Sequence, residues 1–289
     1  MIKAFIKEIR PHQWVKNGII FAALVFDRQL LNLNSILRTV LGLFIFCGIS
    51  SAVYLMNDLL DIESDRQHPK KKFRPIASGE LPQSTAIAAA IILGIASLVG
   101  AYLLSPSFFG VILAYALIQV AYSTFLKNQP IIDVLVLATG FLLRVGAGTT
   151  LIEVERFSPW LYMCTGLLAL FIGFGKRRAE LTVLKESAGD HRVALRGYTI
   201  PLLDKLITIV STATLMAYSL YTISAPNISD NHAMLITVIF VIFGLFRYQY
   251  LLEVKEEGGA PVEVLLHDRP LQATVALWGI SVLVIFYLF

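Results

Sequence analysis

The segment Asn57–Pro75, NDLLDIESDRQHPKKKFRP, concentrates residue types that can handle a metal and a phosphate. Asn57, Asp61 and Asp65 are spaced i, i+4, i+8, so on a helix they share one face over about 12 Å. Asp58 stands beside that face. Three carboxylates this close to an apolar stretch repel one another and resist desolvation. A divalent cation relieves both problems, and an all-oxygen donor set suits Mg²⁺, which keeps waters and shares its shell with phosphates. Asn57, Asp61 and Asp65 are therefore the expected metal ligands, and Asp58, Asp61 and Asp65 the expected catalytic acids. Arg66, Lys70, Lys71, Lys72 and Arg74 follow at once. Acids followed by a basic cluster make a Mg–diphosphate clamp. The plain alternative is a solvated loop with topogenic lysines.

Three further groups carry polar chemistry. In Tyr122–Asp133, YSTFLKNQPIID, Lys127 can hold phosphate charge and Tyr122 can donate a hydrogen bond. Asp133 sits where a lone carboxylate is expensive unless it is paired or metal-bound. Arg144, about three helical turns further on, is an arginine well inside an apolar stretch, which reads as cavity-facing or as snorkelling to the far interface. Lys176, Arg177, Arg178 and Glu180 close another apolar segment, where Lys176 and Glu180 have i, i+4 ion-pair spacing. His12, Gln13, Trp14, Lys16 and Asn17 lead into the first apolar run. The expected substrate-binding set is Lys16, Asn17, Arg66, Lys72, Arg74, Tyr122, Lys127, Asp133, Arg144, Lys176 and Arg177. The remaining histidines, His68, His191, His232 and His267, lack ligand spacing, and Cys47 and Cys164 form no CxxC pair.

The elements that must carry these residues are membrane helices. Of the 289 residues 56% are hydrophobic and 15% charged, less charge than the roughly one quarter of a soluble domain. Ser84–Leu104 and Thr208–Ala225 contain no charge at all. Lipid leaves no water for open backbone groups, so long apolar blocks without strand alternation imply helices. Nine spans are expected: Asn17–Leu33, Ser35–Ile62, Ser84–Leu104, Ser107–Leu126, Ile131–Ile152, Pro159–Leu184, Pro201–Ala225, His232–Val254 and Leu271–Phe289. The first is the weakest, because its unbroken apolar run is only Gly18–Phe26. The polar start reads as no cleavable signal peptide. With the N-terminus inside, 20 of the 24 Lys and Arg residues fall on the inner side, the exceptions being Arg28, Arg38, Arg144 and Arg156. That asymmetry orients the chain with its N-terminus and long loops cytoplasmic. It also accounts for the net charge of +4 without a nucleic acid. The expected organisation is one polytopic domain, residues 1–289, with active-site loops 63–83, 127–130, 185–200 and 255–270, in the inner (plasma) membrane.

These motifs resemble a known family. NDLLDIESD is similar to the NDxxDxxxD motif of the UbiA superfamily of intramembrane prenyltransferases. Within it, the polyprenyl-phosphate phosphoribosyltransferases (decaprenylphosphoryl-5-phosphoribose synthase type) are the closer match. The likeness is carried by RPHQWVKN at 10–17, NDLLDIESDRQHPKKKFRPIASG at 57–79, YSTFLKNQPIIDVLVLATGFLLRVGAG at 122–148, GKRRAEL at 175–181 and EGGAPVEVLLHDRPL at 257–271. Aromatic prenyltransferases typically bring a second aspartate-rich motif, DxxxD; here Tyr122–Asp133 offers a single aspartate, Asp133. The resemblance implies a UbiA-type helical fold and Mg²⁺-dependent transfer of 5-phosphoribosyl from phosphoribosyl pyrophosphate to a polyprenyl phosphate. It leaves room for a homo-oligomer. Prenyl transfer from a prenyl diphosphate to an aromatic acceptor is the alternative enzyme, and a transporter or channel the alternative class.

Overall fold

In the computed structural model, residues 1–68, 71–154, 158–184, 193–225, 231–255 and 261–288 are described. All regular structure among them is helical: α1 (Ile2–Glu8), α2 (Ala22–Phe26), α3 (Leu33–Leu60), α4 (Ile62–Gln67), α5 (Pro75–Ser78), α6 (Gln83–Leu104), α7 (Pro106–Thr124), α8 (Ile132–Thr149), α9 (Pro159–Leu184), α10 (Ile200–Ser224), α11 (Val238–Glu253), α12 (Pro261–His267) and α13 (Arg269–Leu288), with short 3-10 segments between them. Local chemistry starts several of these helices. The Asn32 side chain accepts the Asn34 and Ser35 N–H groups to cap α3, and Thr199 accepts the Leu202 N–H ahead of α10, which has Pro201 in its first turn.

Among the described residues, eight helices are long and apolar enough to cross a membrane, the last but one running Ala233–Glu253 from a 3-10 turn. They correspond to eight of the nine expected spans. The first expected span takes another form: a 3-10 segment Pro11–Phe21 followed by the five-residue α2. Its apolar run ends at Asp27, and Arg28 turns into the left-handed region at φ 57°, so no long α-helix can propagate there.

The chain divides into two compact units, the first comprising Met1–Leu24, Gln29–Leu126 and Leu143–Val154, the second Val25–Arg28, Lys127–Leu142 and Glu155–Phe289. In the first, α3 packs along α6 and α7 around Phe46, Ile49, Phe108, Ile112 and Tyr115. The 3-10 segment lies against α8 at Gly148, where an added Cβ would stand 2.2 Å from the Ile20 carbonyl oxygen. Only glycine allows that approach. A smaller core of Ala4, Leu55, Ile62, Ile76 and Leu81 joins α1, α4 and α5 to the C-terminal end of α3. At the other end of α3, Arg38 donates from Nε to the Leu151 carbonyl at 2.9 Å and from Nη2 to the Leu104 carbonyl at 3.1 Å.

In the second unit, α9 packs along α10, and α11 along α13. Its core includes Val134, Phe171, Phe174, Leu195, Tyr198, Leu203 and Leu252.

Candidate active site

The acidic motif of the first unit straddles a joint. Helix α3 stops at Leu60, Asp61 takes a non-helical conformation (φ −96°, ψ 8°), and α4 resumes at Ile62. The i→i−4 hydrogen bonds persist across the joint, from Asp61 N–H to Asn57 O at 3.0 Å and from Asp65 N–H to Asp61 O at 2.8 Å. The expected i, i+4 succession therefore survives in two helical pieces. The Asn57 side-chain amide donates to Asp61 Oδ2 at 3.2 Å.

Two of the carboxylates are deeply buried, Asp58 at 2% and Asp65 at 1% exposure. A buried carboxylate must be paired, and arginines supply the partners. Arg74 Nη1 reaches Asp58 Oδ1 at 2.9 Å and Asp65 Oδ2 at 2.5 Å. Arg10 Nη2 pairs with Asp58 Oδ2, and its guanidinium stacks 5.1 Å from the Tyr54 ring centroid. Lys71 Nζ lies 3.9 Å from Asp65 Oδ1. Arg74 is extended (ψ 140°) because Pro75 follows. Of the other expected cations here, Arg66 bonds Glu63 and the Ala77 carbonyl on the exposed side. Lys72 is exposed and lies over Phe73. Lys70 falls outside the described residues.

Glu8 and Arg10 belong to this cluster, and the sequence reading did not select either. Glu8 is buried, and among the described residues no N–H or O–H donor reaches its carboxyl oxygens. Its polar neighbour is the Asp58 carboxyl, so a hydrogen bond between them exists only when one carries a proton. Burial first, and then Asp58, push the Glu8 carboxyl up to about 8, against the pull of Arg10 and Arg74.

The same unit buries Asn17 and Arg144 together. Arg144 Nε donates to Asn17 Oδ1 at 2.7 Å, and its Nη2 to the Tyr115 hydroxyl at 3.1 Å. The guanidinium also faces the Phe46 and Tyr115 rings. The Asn17 amide donates to Ser50 and Cys47, and Trp14 donates to Ser51. Arg144 is thus packed into the helix bundle rather than extended to an interface, and both side chains are bound internally. Lys16 and Tyr122 are half-buried.

The second unit holds the other expected residues. Asp133 and Arg177 are both fully buried at 0% exposure. Arg177 Nε donates to Asp133 Oδ2 at 2.7 Å, and its Nη1 pairs with Glu180 at 2.6 Å. Lys176 Nζ lies 3.8 Å from Glu180. The Tyr198 hydroxyl donates to Asp133 Oδ1 at 2.7 Å and accepts the Ile131 N–H. Burial and the Asp133 carboxylate hold that phenol far above its ordinary range, so it stays a donor. Lys127 is half-buried in the 3-10 turn Leu126–Asn128 just before α8. No motif pointed to Tyr198; its only sequence signal is a tyrosine beside a glycine at the entry to an apolar helix.

Among the described residues, no three His, Cys, Asp or Glu side chains converge as a closed metal cage. The donor set of the acidic motif is all oxygen: the Asn57 amide carbonyl, Asp61 and Asp65. That chemistry fits a hard cation which takes one or two carboxylates and completes its shell with water and substrate phosphate.

Comparisons with known proteins follow the same lines. The model of the UbiA prenyltransferase family matches residues 18–262. Decaprenyl-phosphate phosphoribosyltransferase of Mycobacterium tuberculosis is 32% identical over 285 residues, covering 96% of this chain and 92% of that one. The Corynebacterium glutamicum protein of the same name is 34% identical over 291 residues, covering 98% and 86%. The solved structure of a UbiA homolog from Archaeoglobus fulgidus, bound to DMAPP and Mg²⁺, superposes with a TM-score of 0.76 at 20% identity over 99% of both chains.

Proposed function

The chain belongs to the UbiA prenyltransferase family, and from that premise we propose that it transfers 5-phosphoribosyl from phosphoribosyl pyrophosphate to a polyprenyl phosphate, releasing pyrophosphate. It is a multi-span membrane transferase. The observation that carries the choice of substrates is the 32–34% identity, over nearly the whole chain, to enzymes named decaprenyl-phosphate phosphoribosyltransferase.

A phosphate oxygen of the lipid forms the new bond to C1 of the ribose, while the C1–O bond to pyrophosphate breaks and the pair of electrons leaves with it. Asn57, Asp61 and Asp65 would hold Mg²⁺, which supplies charge neutralisation for the departing pyrophosphate. Arg74 and Arg10 add fixed positive charge beside it, and Asp58 orients both guanidiniums. The lipid phosphate is already anionic at neutral pH, so it needs positioning rather than a general base. Lys16, Arg66, Lys72 and Lys176 keep part of their surface open to solvent and are assigned to phosphate groups of the two substrates. Lys127 and Tyr122 are assigned to the donor's 5-phosphate, an anchor point that a prenyl diphosphate lacks. Asp133, tied up with Arg177 and Tyr198, orders the base of α8 rather than touching substrate. The Lys and Arg distribution supports a cytoplasmic position for the acidic motif at the inner membrane, the side from which a polyanionic donor would enter.

The test uses purified protein in lipid nanodiscs with Mg²⁺. Decaprenyl phosphate and phosphoribosyl pyrophosphate should give lipid-linked phosphoribose and pyrophosphate, chelation should stop the reaction, and Asp61→Ala and Asp65→Ala should abolish it in folded protein. Pyrophosphate released only from a prenyl diphosphate with an aromatic acceptor would replace this reading with the aromatic prenyltransferase one.

A further inference from the structure

Tyr198 closes the polar cluster of the second unit from a segment with no recognisable motif. Its ring is part of the buried core with Val134 and Leu195. Its hydroxyl serves two partners at once, donating to Asp133 and accepting the Ile131 N–H. That N–H lies just ahead of α8, where backbone donors have no intrahelical acceptor. One residue before Tyr198, Gly197 abuts Pro130: a Cβ there would stand 2.3 Å from Pro130 Cγ, closer than real atoms pack. Two consecutive residues thus grip the consecutive pair Pro130–Ile131.

What they grip is a strained turn. Ile131 has φ 69°, a left-handed conformation that a β-branched side chain adopts at a cost. Such a residue persists only where its surroundings over-determine it. Lys127 lies three residues before Pro130 in the same turn. If Ile131 relaxes to an ordinary conformation, the chain direction at Pro130 changes and the lysine moves with it.

We propose that Tyr198, seated by Gly197, is a positioning residue that fixes the Lys127 turn and thereby sets affinity for the phosphoribosyl donor. This rests on Lys127 binding the donor's 5-phosphate. Phenylalanine at 198 keeps the core ring and removes both hydrogen bonds. The lipid substrate, which does not use this turn, is unaffected.

The experiment measures KM for phosphoribosyl pyrophosphate, KM for decaprenyl phosphate and kcat in four proteins: wild type, Lys127→Ala, Tyr198→Phe and the double variant. Tyr198→Phe should raise the donor KM about tenfold, with the lipid KM and kcat within about twofold of wild type. In the Lys127→Ala background the same change should add less than about twofold, because nothing remains for the turn to present. Adding Ile131→Gly to Tyr198→Phe should return the donor KM to within about threefold of wild type, since glycine holds a positive φ without strain. A purely packing role for Tyr198 gives multiplicative effects and no rescue, which overturns the proposal. A donor KM raised by Lys127→Ala but unmoved by Tyr198→Phe overturns it as well and leaves the donor assignment standing. Lys127→Ala without effect removes the donor assignment itself, and the proposal with it. Should Tyr198→Phe fail to fold, Gly197→Ala displaces Pro130 with the hydroxyl intact, and an unchanged donor KM in that variant is equally fatal.

Discussion

Replacing Arg74 by methionine keeps most of the side-chain stem and removes the charge that bridges Asp58 and Asp65. At about 3 Å and an effective dielectric near 20, each contact is worth about 5 kcal/mol of gross attraction. Desolvation cancels much of that, and removing one partner of a buried pair costs about 3–5 kcal/mol in measured cases. The Arg74 side chain is 25% exposed, and Arg10 and Lys71 remain beside the acids, so the lower end applies, about 3 kcal/mol. For a chain of this size that is a fall in melting temperature of about 5 °C. The variant leaves two buried carboxylates short of one cation, so a divalent ion should compensate. Thermal unfolding in detergent, with chelator and then with millimolar Mg²⁺, provides the assay. The metal should raise the variant's midpoint by more than it raises the wild type's, while transfer activity stays low because the guanidinium beside the diphosphate is gone. A variant that melts within about 2 °C of wild type under chelation, or gains no more from Mg²⁺, would refute the view that Arg74 neutralises this site.

Two other outcomes follow from buried charge. Asp133→Asn strips Arg177 of its principal partner and should cost about 3 kcal/mol; combining it with Arg177→Met should cost less than the two single changes added together, and strictly additive melting shifts would count against the pairing. Glu8 should give a pH signature, because its carboxyl is raised above the ordinary glutamate value of about 4.3 to about 8 in the fold. Between those values the unfolded chain loses a proton that the folded one keeps, so this group lowers stability as pH rises and its full penalty is present above about 8. Glu8→Gln should therefore match wild type at pH 5 and melt several degrees higher at pH 8.5, whereas parallel pH profiles would show that Glu8 is an ordinary carboxylate.

Lipid imposes so strict a rule on backbone polar groups that the long spans are legible from apolar length alone. The segment Asn17–Leu33 resists that reading because nine apolar residues, Gly18–Phe26, sit between polar ones, and packing on α3 decides its form. The acidic face is legible because Asn57, Asp61 and Asp65 are neighbours within one helical repeat. The bonds from Arg10 and Arg74 to Asp58 span 48 and 16 residues, beyond any local periodicity, so their pairing needed the fold. Asp133 and Arg177 could each be recognised as a charge in need of a partner, but nothing in the sequence says that they choose one another. Arg144 carried two readings, cavity or interface, and its bonds to Asn17 and Tyr115, 127 and 29 residues away, could not be read from local spacing. Tyr198 was invisible because its importance lies in one hydroxyl meeting a backbone N–H 67 residues away.

Arg38 is among the few cations set apart from the basic majority, and its bonds to Leu104 and Leu151 change what that charge means. Both acceptors are carbonyls at or just beyond helix ends, where aligned peptide dipoles leave partial negative charge. Two of the guanidinium's N–H groups are thus committed to holding the backbone. A planar fork is what lets one residue fasten two chain ends, and a lysine at this position would secure only one of them. Arg38 is accordingly a rivet, and its replacement should loosen the ends of α6 and α8 and leave the chemistry at the opposite end of α3 untouched.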